Sequence, residues 1–169
     1  MIKLASIAAM AMMALGGSAA AKTDEHADRA AIHELLIAYG STLDNRDFEG
    51  FSVLFGADGV YAAGGGTELK GPETGEFMRR VLTESPRARR QPNFHLLFNE
   101  VITLDAPDRA RASSMGMFMV PALGTGRLEV SSVARYEDEL VKVKGRWLFA
   151  RRTVKLVAGP PPEPVEAAK

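Results

Sequence analysis

Apolar residues between Asp24 and Asp44 recur at spacings of three and four, which predicts one stripe of an amphipathic α-helix. Thr23 or Asp24 can cap the start of this helix, and Gly40 and Ser41 weaken its last turn. The apolar stripe consists of Ala31, Ile32, Leu35, Leu36, Tyr39 and Leu43.

Further along the chain the pattern changes from helix to strand. A short second helix is predicted over residues 47–55 with Asp47 as its N-cap, and a third over residues 71–84 with Pro72 in its first turn. Strands are predicted over residues 60–63, 67–70, 94–104, 110–121, 128–142 and 146–157. The order α-α-β-β-α-β-β-β-β describes an α+β domain, in which a cone-shaped, curved antiparallel sheet wraps around the N-terminal helices. An apolar pocket should lie between helix and sheet, where small ligands usually bind.

Both ends of the chain differ from this pattern. Residues 1–21 have a positive start at Lys3, an apolar run too short for the roughly 20 residues of a membrane span, and small residues at the end. We predict a signal peptide cleaved near Ala21, and hence a periplasmic or secreted protein, because a retained anchor would need a longer apolar run. Residues 159–169 are rich in proline and predict a disordered tail. Residues 22–158 should form one domain.

Composition narrows the choice of partners. The chain has 21 basic and 21 acidic residues, and removal of residues 1–21 takes away one base, Lys3, which leaves 20 against 21 and a net charge of −1. This balance favours neither nucleic acid nor a membrane surface as a partner once the signal is cleaved. The chain has no cysteine, so disulfides, thiolate nucleophiles and cysteine metal sites are excluded.

Three side chains carry the candidate chemistry: the Tyr39 phenol, the Asp44 carboxylate and the His95 imidazole. Such groups, aimed into one pocket, can perform proton transfer without a cofactor. Tyr39 and Asp44 lie roughly 140° apart around an ideal helix, so they share a cavity only if the helix loosens after Gly40 or if the cavity lies over its C-terminal end. Each residue also has a structural interpretation: Tyr39 as a core tyrosine, Asp44 as a helix cap, and His95 as a core histidine.

The elements and several motifs together resemble the SnoaL-like branch of the nuclear-transport-factor-two-like superfamily over residues 24–156. The resemblance rests on residues 31–39, 43–48, 54–55, 58–61, 95–99, 135–140, 145–147 and Arg152. This superfamily includes small dehydratases, polyketide cyclases and ketosteroid isomerases. Its fold hosts unrelated activities, so the pocket residues must decide the function.

The resemblance implies specific roles. In dehydratase-type members a tyrosine, an aspartate and a strand histidine face the pocket, and the matching residues here are Tyr39, Asp44 and His95. We therefore predict loss of water from an apolar or polycyclic carbonyl compound, with no cofactor. Isomerase-type members place an aspartate base on the first strand, where residues 61–64 offer no carboxylate. A cyclase remains an alternative, as does a protein that only binds a small molecule or acts as a dimeric scaffold.

Four further residues are predicted to contact the substrate: Tyr61, Phe55, Met117 and Arg152. Strand alternation sends either Arg151 or Arg152 inward, and the resemblance favours Arg152, although a surface ion pair is an alternative. An arginine cluster is interpreted as a solvated helix end and loop, or alternatively as a clamp for an anionic substrate. It consists of Arg79, Arg80, Arg87, Arg89 and Arg90.

Two expectations concern metal and assembly. The three histidines are scattered, and none shares a metal-ligand spacing with another, so we expect no metal site. Residues 115–119 and 131–134 are apolar or small on both strand faces, which favours a homodimer through the large sheet.

Overall fold

The computed structural model describes residues 16–159, and side-chain burial from residue 24 onward. The predicted tail, apart from Gly159, and the first 15 residues of the predicted signal peptide lie outside this range. The signal peptide and export therefore stay predictions. Within residues 16–159 no helix is both long and apolar enough to cross a membrane.

Residues 16–159 contain three α-helices, six strands and a short 3-10 helix at Gly64–Gly66. The α-helices and strands follow the predicted order, which confirms the fold class. The helices are α1 (Gly16–Asp44), α2 (Phe48–Ser52) and α3 (Gly71–Glu84). The strands are β1 (Phe55–Ala62), β2 (Glu68–Lys70), β3 (Phe94–Ala106), β4 (Arg109–Pro121), β5 (Leu128–Val143) and β6 (Arg146–Ala158).

Helix boundaries differ from the prediction at two places. Helix α1 extends before the predicted cap at Thr23 or Asp24, back to Gly16, the first residue described. Helix α2 ends at Ser52, and Phe55 already belongs to β1, where it is aligned with Phe149 of β6. Pairing of Phe55 with the neighbouring strand therefore outweighs the helical pattern of apolar residues at the end of α2.

The six strands form one sheet in the order β2-β1-β6-β5-β4-β3. All neighbours are antiparallel except β1 and β6, which are parallel. Helix α1 packs against β3 and β6, and α3 packs against α2 and β1. Of the predicted apolar stripe only Ala31 is exposed, and the other five residues are buried in the core between helix and sheet.

Gly40 allows α1 to approach β3 closely. A Cβ atom added at this position would lie 2.9 Å from Cβ of His95 and 3.3 Å from its carbonyl oxygen. A distance below 3.0 Å is a clash, so only glycine fits here without a shift of the helix or the strand. The glycine expected to weaken the helix instead sets the distance between α1 and β3.

Candidate active site

Asp44 is the last residue of α1, where the chain leaves the helix. Arg46 follows in the left-handed region with φ 59°, and the N–H of Asp47 donates to the carbonyl of Thr42. A carboxylate at the C-terminal end of a helix is disfavoured by the helix dipole, so it requires compensating donors. Asp47, as predicted, caps α2: its side chain accepts a hydrogen bond from the N–H of Gly50.

Three donors from Asn93 and His95, at the start of β3 and just before it, satisfy the Asp44 carboxylate. Its Oδ1 lies 2.6 Å from Nδ1 of His95 and accepts from Nδ2 of Asn93 at 2.7 Å. Its Oδ2 accepts from the backbone N–H of His95 at 2.9 Å. Since Oδ1 can only accept from the ring when Nδ1 carries a proton, this contact fixes the imidazole tautomer. In the neutral imidazole Nε2 then carries a lone pair, and it has no hydrogen-bond partner among the described residues.

The imidazole is held between two aromatic rings. Phe118 of β4 is aligned with His95 and its ring centroid lies 4.6 Å from that of the imidazole. Tyr39 meets the imidazole edge-on, with the centroids 6.3 Å apart. Side-chain exposure is 15% for His95 and 21% for Asp44, so the pair is shielded but still reachable from a cavity.

Two cavities meet at these residues. The larger has a volume of about 470 Å³, within the range of small-molecule sites. The smaller, of about 120 Å³, opens beside Asp44 and Gly40. His95, Tyr39 and Tyr136 line both cavities. Helix α1 remains helical through Asp44, so the two predicted side chains share a site because it lies over the C-terminal end of the helix.

Three tyrosines line the large cavity: Tyr39, Tyr61 and Tyr136. Burial raises the pKa of Tyr61 to about 12 and the pKa of both Tyr39 and Tyr136 well above the ordinary phenol value. All three phenols therefore stay protonated at neutral pH and can donate hydrogen bonds to a ligand oxygen.

Arg152 is placed beneath these tyrosines rather than in the cavity. It is fully buried, and its guanidinium carbon lies 4.0 Å from the ring centroid of Tyr39 and 4.3 Å from that of Tyr136. Its Nε lies 3.1 Å from Oδ1 of Asp138, which is also buried. Neither group has a hydrogen-bond partner among the described residues, so the pair is held by charge and by the rings. The prediction that Arg152 contacts the substrate directly is therefore wrong, because its side chain is buried beneath the tyrosines.

Two other predicted substrate contacts also lie elsewhere. Phe55 is buried behind the cavity, where it packs on Phe51, Tyr61 and Phe149. Met117 lies on the outer face of the sheet, because its neighbours Gly116 and Phe118 on β4 are the ones that line the cavity. Tyr61 is the one of the four predicted contacts that lines it.

Sequence reasoning missed three residues of the site: Asn93, Phe118 and Tyr136. Asn93 could have been found, because a spacing of two in a strand places it on the same side as His95. Tyr136 and Phe118 reach the site through strand register, which has no local signal. Within residues 16–159 no group of three or more histidine, aspartate or glutamate side chains is arranged to hold a metal ion.

A family model and several solved structures match this chain. The model of the SnoaL-like domain family matches residues 24–153, and the chain belongs to that family. A search of curated protein sequences gave no significant match.

Solved structures resemble the chain in fold. An NTF2-like protein with a cystatin-like fold from Novosphingobium aromaticivorans is 24% identical, with 89% of this chain and 94% of the other covered and a TM-score of 0.73. A protein from the same organism, provisionally named a scytalone dehydratase, is 19% identical over 87% and 95% of the two chains, with a TM-score of 0.69. The hexachlorocyclohexane dehydrochlorinase LinA is 19% identical over 88% and 97%, with a TM-score of 0.70.

Proposed function

We propose that this protein is a cofactor-free lyase that removes water from an apolar, carbonyl-containing small molecule. The observation that carries the proposal is the 2.6 Å contact between Asp44 Oδ1 and His95 Nδ1, at a histidine that also lines the large cavity. A carboxylate that orients an imidazole and stabilises its protonated form makes that imidazole a general base. Two structural neighbours carry names that denote eliminations, a dehydratase and a dehydrochlorinase, which supports this reaction class.

The reaction follows from the donors around the cavity. His95 Nε2 takes the proton from the carbon next to the substrate carbonyl, and Tyr39 or Tyr61 donates a hydrogen bond to the enolate oxygen that forms. The enolate electrons then re-form the carbonyl and make the new carbon–carbon double bond, while the β-hydroxyl leaves. His95 returns its proton to that hydroxyl, so that the products are an unsaturated carbonyl compound and water.

A β-hydroxy ketone with a naphthyl ring on its hydroxyl-bearing carbon tests this proposal. Its dehydration conjugates the ring with the carbonyl, so the product can be followed by its ultraviolet absorbance. We expect wild-type protein to form the unsaturated ketone and His95→Ala to lose nearly all of this activity. Equal product formation by wild type and His95→Ala would exclude the base; binding of the ketone without any product from wild type would favour a binding protein.

We also propose that the protein forms a homodimer through an outer-face patch on the sheet, formed by Phe94, Leu96, Met117, Met119, Val130 and Val133. These residues are neighbours on β3, β4 and β5, and Phe94, Leu96 and Val130 are 39–50% exposed. Light scattering should give twice the mass of one chain for the wild type. Leu96→Lys should reduce the measured mass to that of one chain. Val53→Lys, at an exposed apolar residue outside the patch, is the control; a wild-type monomer would contradict the proposal.

A further inference from the structure

The large cavity has one charged end. Among the described residues that line it, none is acidic, and Arg87 is the sole lysine or arginine. The rest of the lining is mostly apolar. Its other polar groups are the three tyrosines, His95, Thr67 and three serines, Ser85, Ser131 and Ser132. A ligand that fills this cavity therefore meets neutral hydrogen-bond donors around His95 and a permanent positive charge at Arg87.

The Arg87 guanidinium has no ion pair or hydrogen bond to any described residue. Arg80 and Arg89 share this property, but neither of them lines the cavity. Arg79 pairs with Glu76 and lies 4.8 Å from the ring centroid of Phe48. Arg90 donates to the carbonyl of Pro121 at 2.7 Å and to Glu129 at 3.0 Å. Arg87 is half-buried, so it faces both the cavity and the solvent.

The loop that carries Arg87 is held in place by its own hydrogen bonds. The N–H of Ala88 donates to Oγ of Ser85, and that of Arg89 to the Ser85 carbonyl at 3.0 Å. The Arg87 carbonyl accepts from both the N–H and Nε of Arg90, each at 3.2 Å. The charge is thus presented from an ordered loop, which lowers the entropy lost when a ligand binds.

We propose that the ligand of the large cavity is an apolar molecule with an anionic group, a carboxylate or another oxyanion, which Arg87 binds at the rim. The inference rests on the proposed function in one respect: it places the carbonyl of the ligand, a neutral oxygen group, beside His95 and Tyr39. An unpaired, half-buried guanidinium gains charge-assisted hydrogen bonds from such a group, whereas a neutral ligand leaves it with water alone.

Three naphthyl probes that differ only in their end group test the charge preference: naphthylbutanoate, its neutral amide, and naphthylbutylammonium. Calorimetry with wild-type protein should show the carboxylate binding about tenfold tighter than the amide, and the ammonium weakest. Arg87→Met should make carboxylate and amide equal without changing amide affinity. Arg87→Glu should favour the ammonium. Arg89→Met, at the exposed neighbour outside the cavity, should behave as wild type.

Outcomes against the inference are distinct from those against the lyase. Equal binding of carboxylate and amide by wild type would overturn the role of Arg87, as would an equal loss in Arg87→Met and Arg89→Met. His95→Ala should keep the full carboxylate preference, because binding does not need the base. A naphthylsulfonate arm identifies the oxyanion: binding as tight as the carboxylate supports any oxyanion, and weaker binding supports a carboxylate. Absence of binding by all probes would overturn this inference, whereas the lyase is judged separately by formation of the unsaturated ketone.

Discussion

Two acid–base pairs near the cavity differ in burial: the cavity pair, Asp44 and His95, and the internal pair, Asp138 and Arg152. Asp44 and His95 keep 21% and 15% of their side chains exposed, and His95 lines both cavities. Asp138 and Arg152 have no exposed side-chain surface, and neither lines a cavity. The first pair can exchange protons with a ligand, whereas the second can act only through the residues packed on it.

Tyr39 connects the two pairs. Its ring lies over the Arg152 guanidinium at 4.0 Å and meets the His95 imidazole edge-on. The buried cation lowers the pKa of Tyr39 in opposition to burial, which raises it. The internal pair therefore orients a phenol that the cavity pair would use, and variants of each pair should affect different measured quantities.

The largest expected effect is on turnover when the cavity pair is broken. His95→Ala and Asp44→Asn should each lower turnover of the naphthyl β-hydroxy ketone by roughly 10²–10⁴, the usual scale for a general acid–base group. The double variant should be little worse than the poorer single one, because residues that act as a unit are not additive. Losses that multiply would show that Asp44 and His95 act independently.

Breaking the internal pair should instead lower stability. Arg152→Met leaves the Asp138 carboxyl buried without its counter-charge, which should reduce the free energy of unfolding by about 3–5 kcal/mol. Urea unfolding measures this, and Arg152→Met combined with Asp138→Leu should recover most of the loss because no charge is then buried. A single variant as stable as wild type would mean that Arg152 contributes no net stability.

The internal pair should also make stability depend on pH. Burial raises the pKa of Asp138 from 3.8 to about 6, although Arg152 opposes the rise. Between these values the folded protein binds the extra proton, so this carboxyl's contribution to the free energy of unfolding falls as pH rises from about 4 to about 6. The contribution is at most about 3 kcal/mol.

Asp138→Asn has no proton to bind and should lose this part of the pH dependence in urea unfolding measured from pH 4 to pH 7. Asp105→Asn is the control, since the pKa of Asp105 is lowered by Arg111 and its titration lies below this window. Identical pH profiles for wild type and Asp138→Asn would contradict the raised pKa.

The smallest effect should come from the residue between the pairs. Tyr39→Phe keeps the ring on Arg152 and removes only the hydroxyl, so stability should change little while turnover falls about tenfold, as for one lost hydrogen bond. Melting temperature and kcat, measured on the same preparation, separate the two. A large loss of stability with unchanged kcat would assign the hydroxyl to the core rather than to the reaction.

Local patterns in the sequence predicted the helices and strands, because the periodicity of apolar residues is a property of each segment alone. They also brought Tyr39, Asp44 and His95 forward, with help from the family resemblance. Met117 was assigned to the wrong face because residues 115–120 are apolar or glycine throughout and show no alternation. The burial of Arg152 and the parallel pairing of β1 with β6 depend on contacts between distant segments, which no local pattern contains.

Gly40 shows how closely the backbone and the proposed chemistry are linked. At Gly40 the space between α1 and β3 admits the hydrogen atom of glycine but not a Cβ atom. Asp44 lies about one helical turn further along α1. Any larger side chain would act as a wedge between helix and strand. A substitution at Gly40, a residue with no functional group, should therefore displace His95, and a screen that changes only polar residues would not find it.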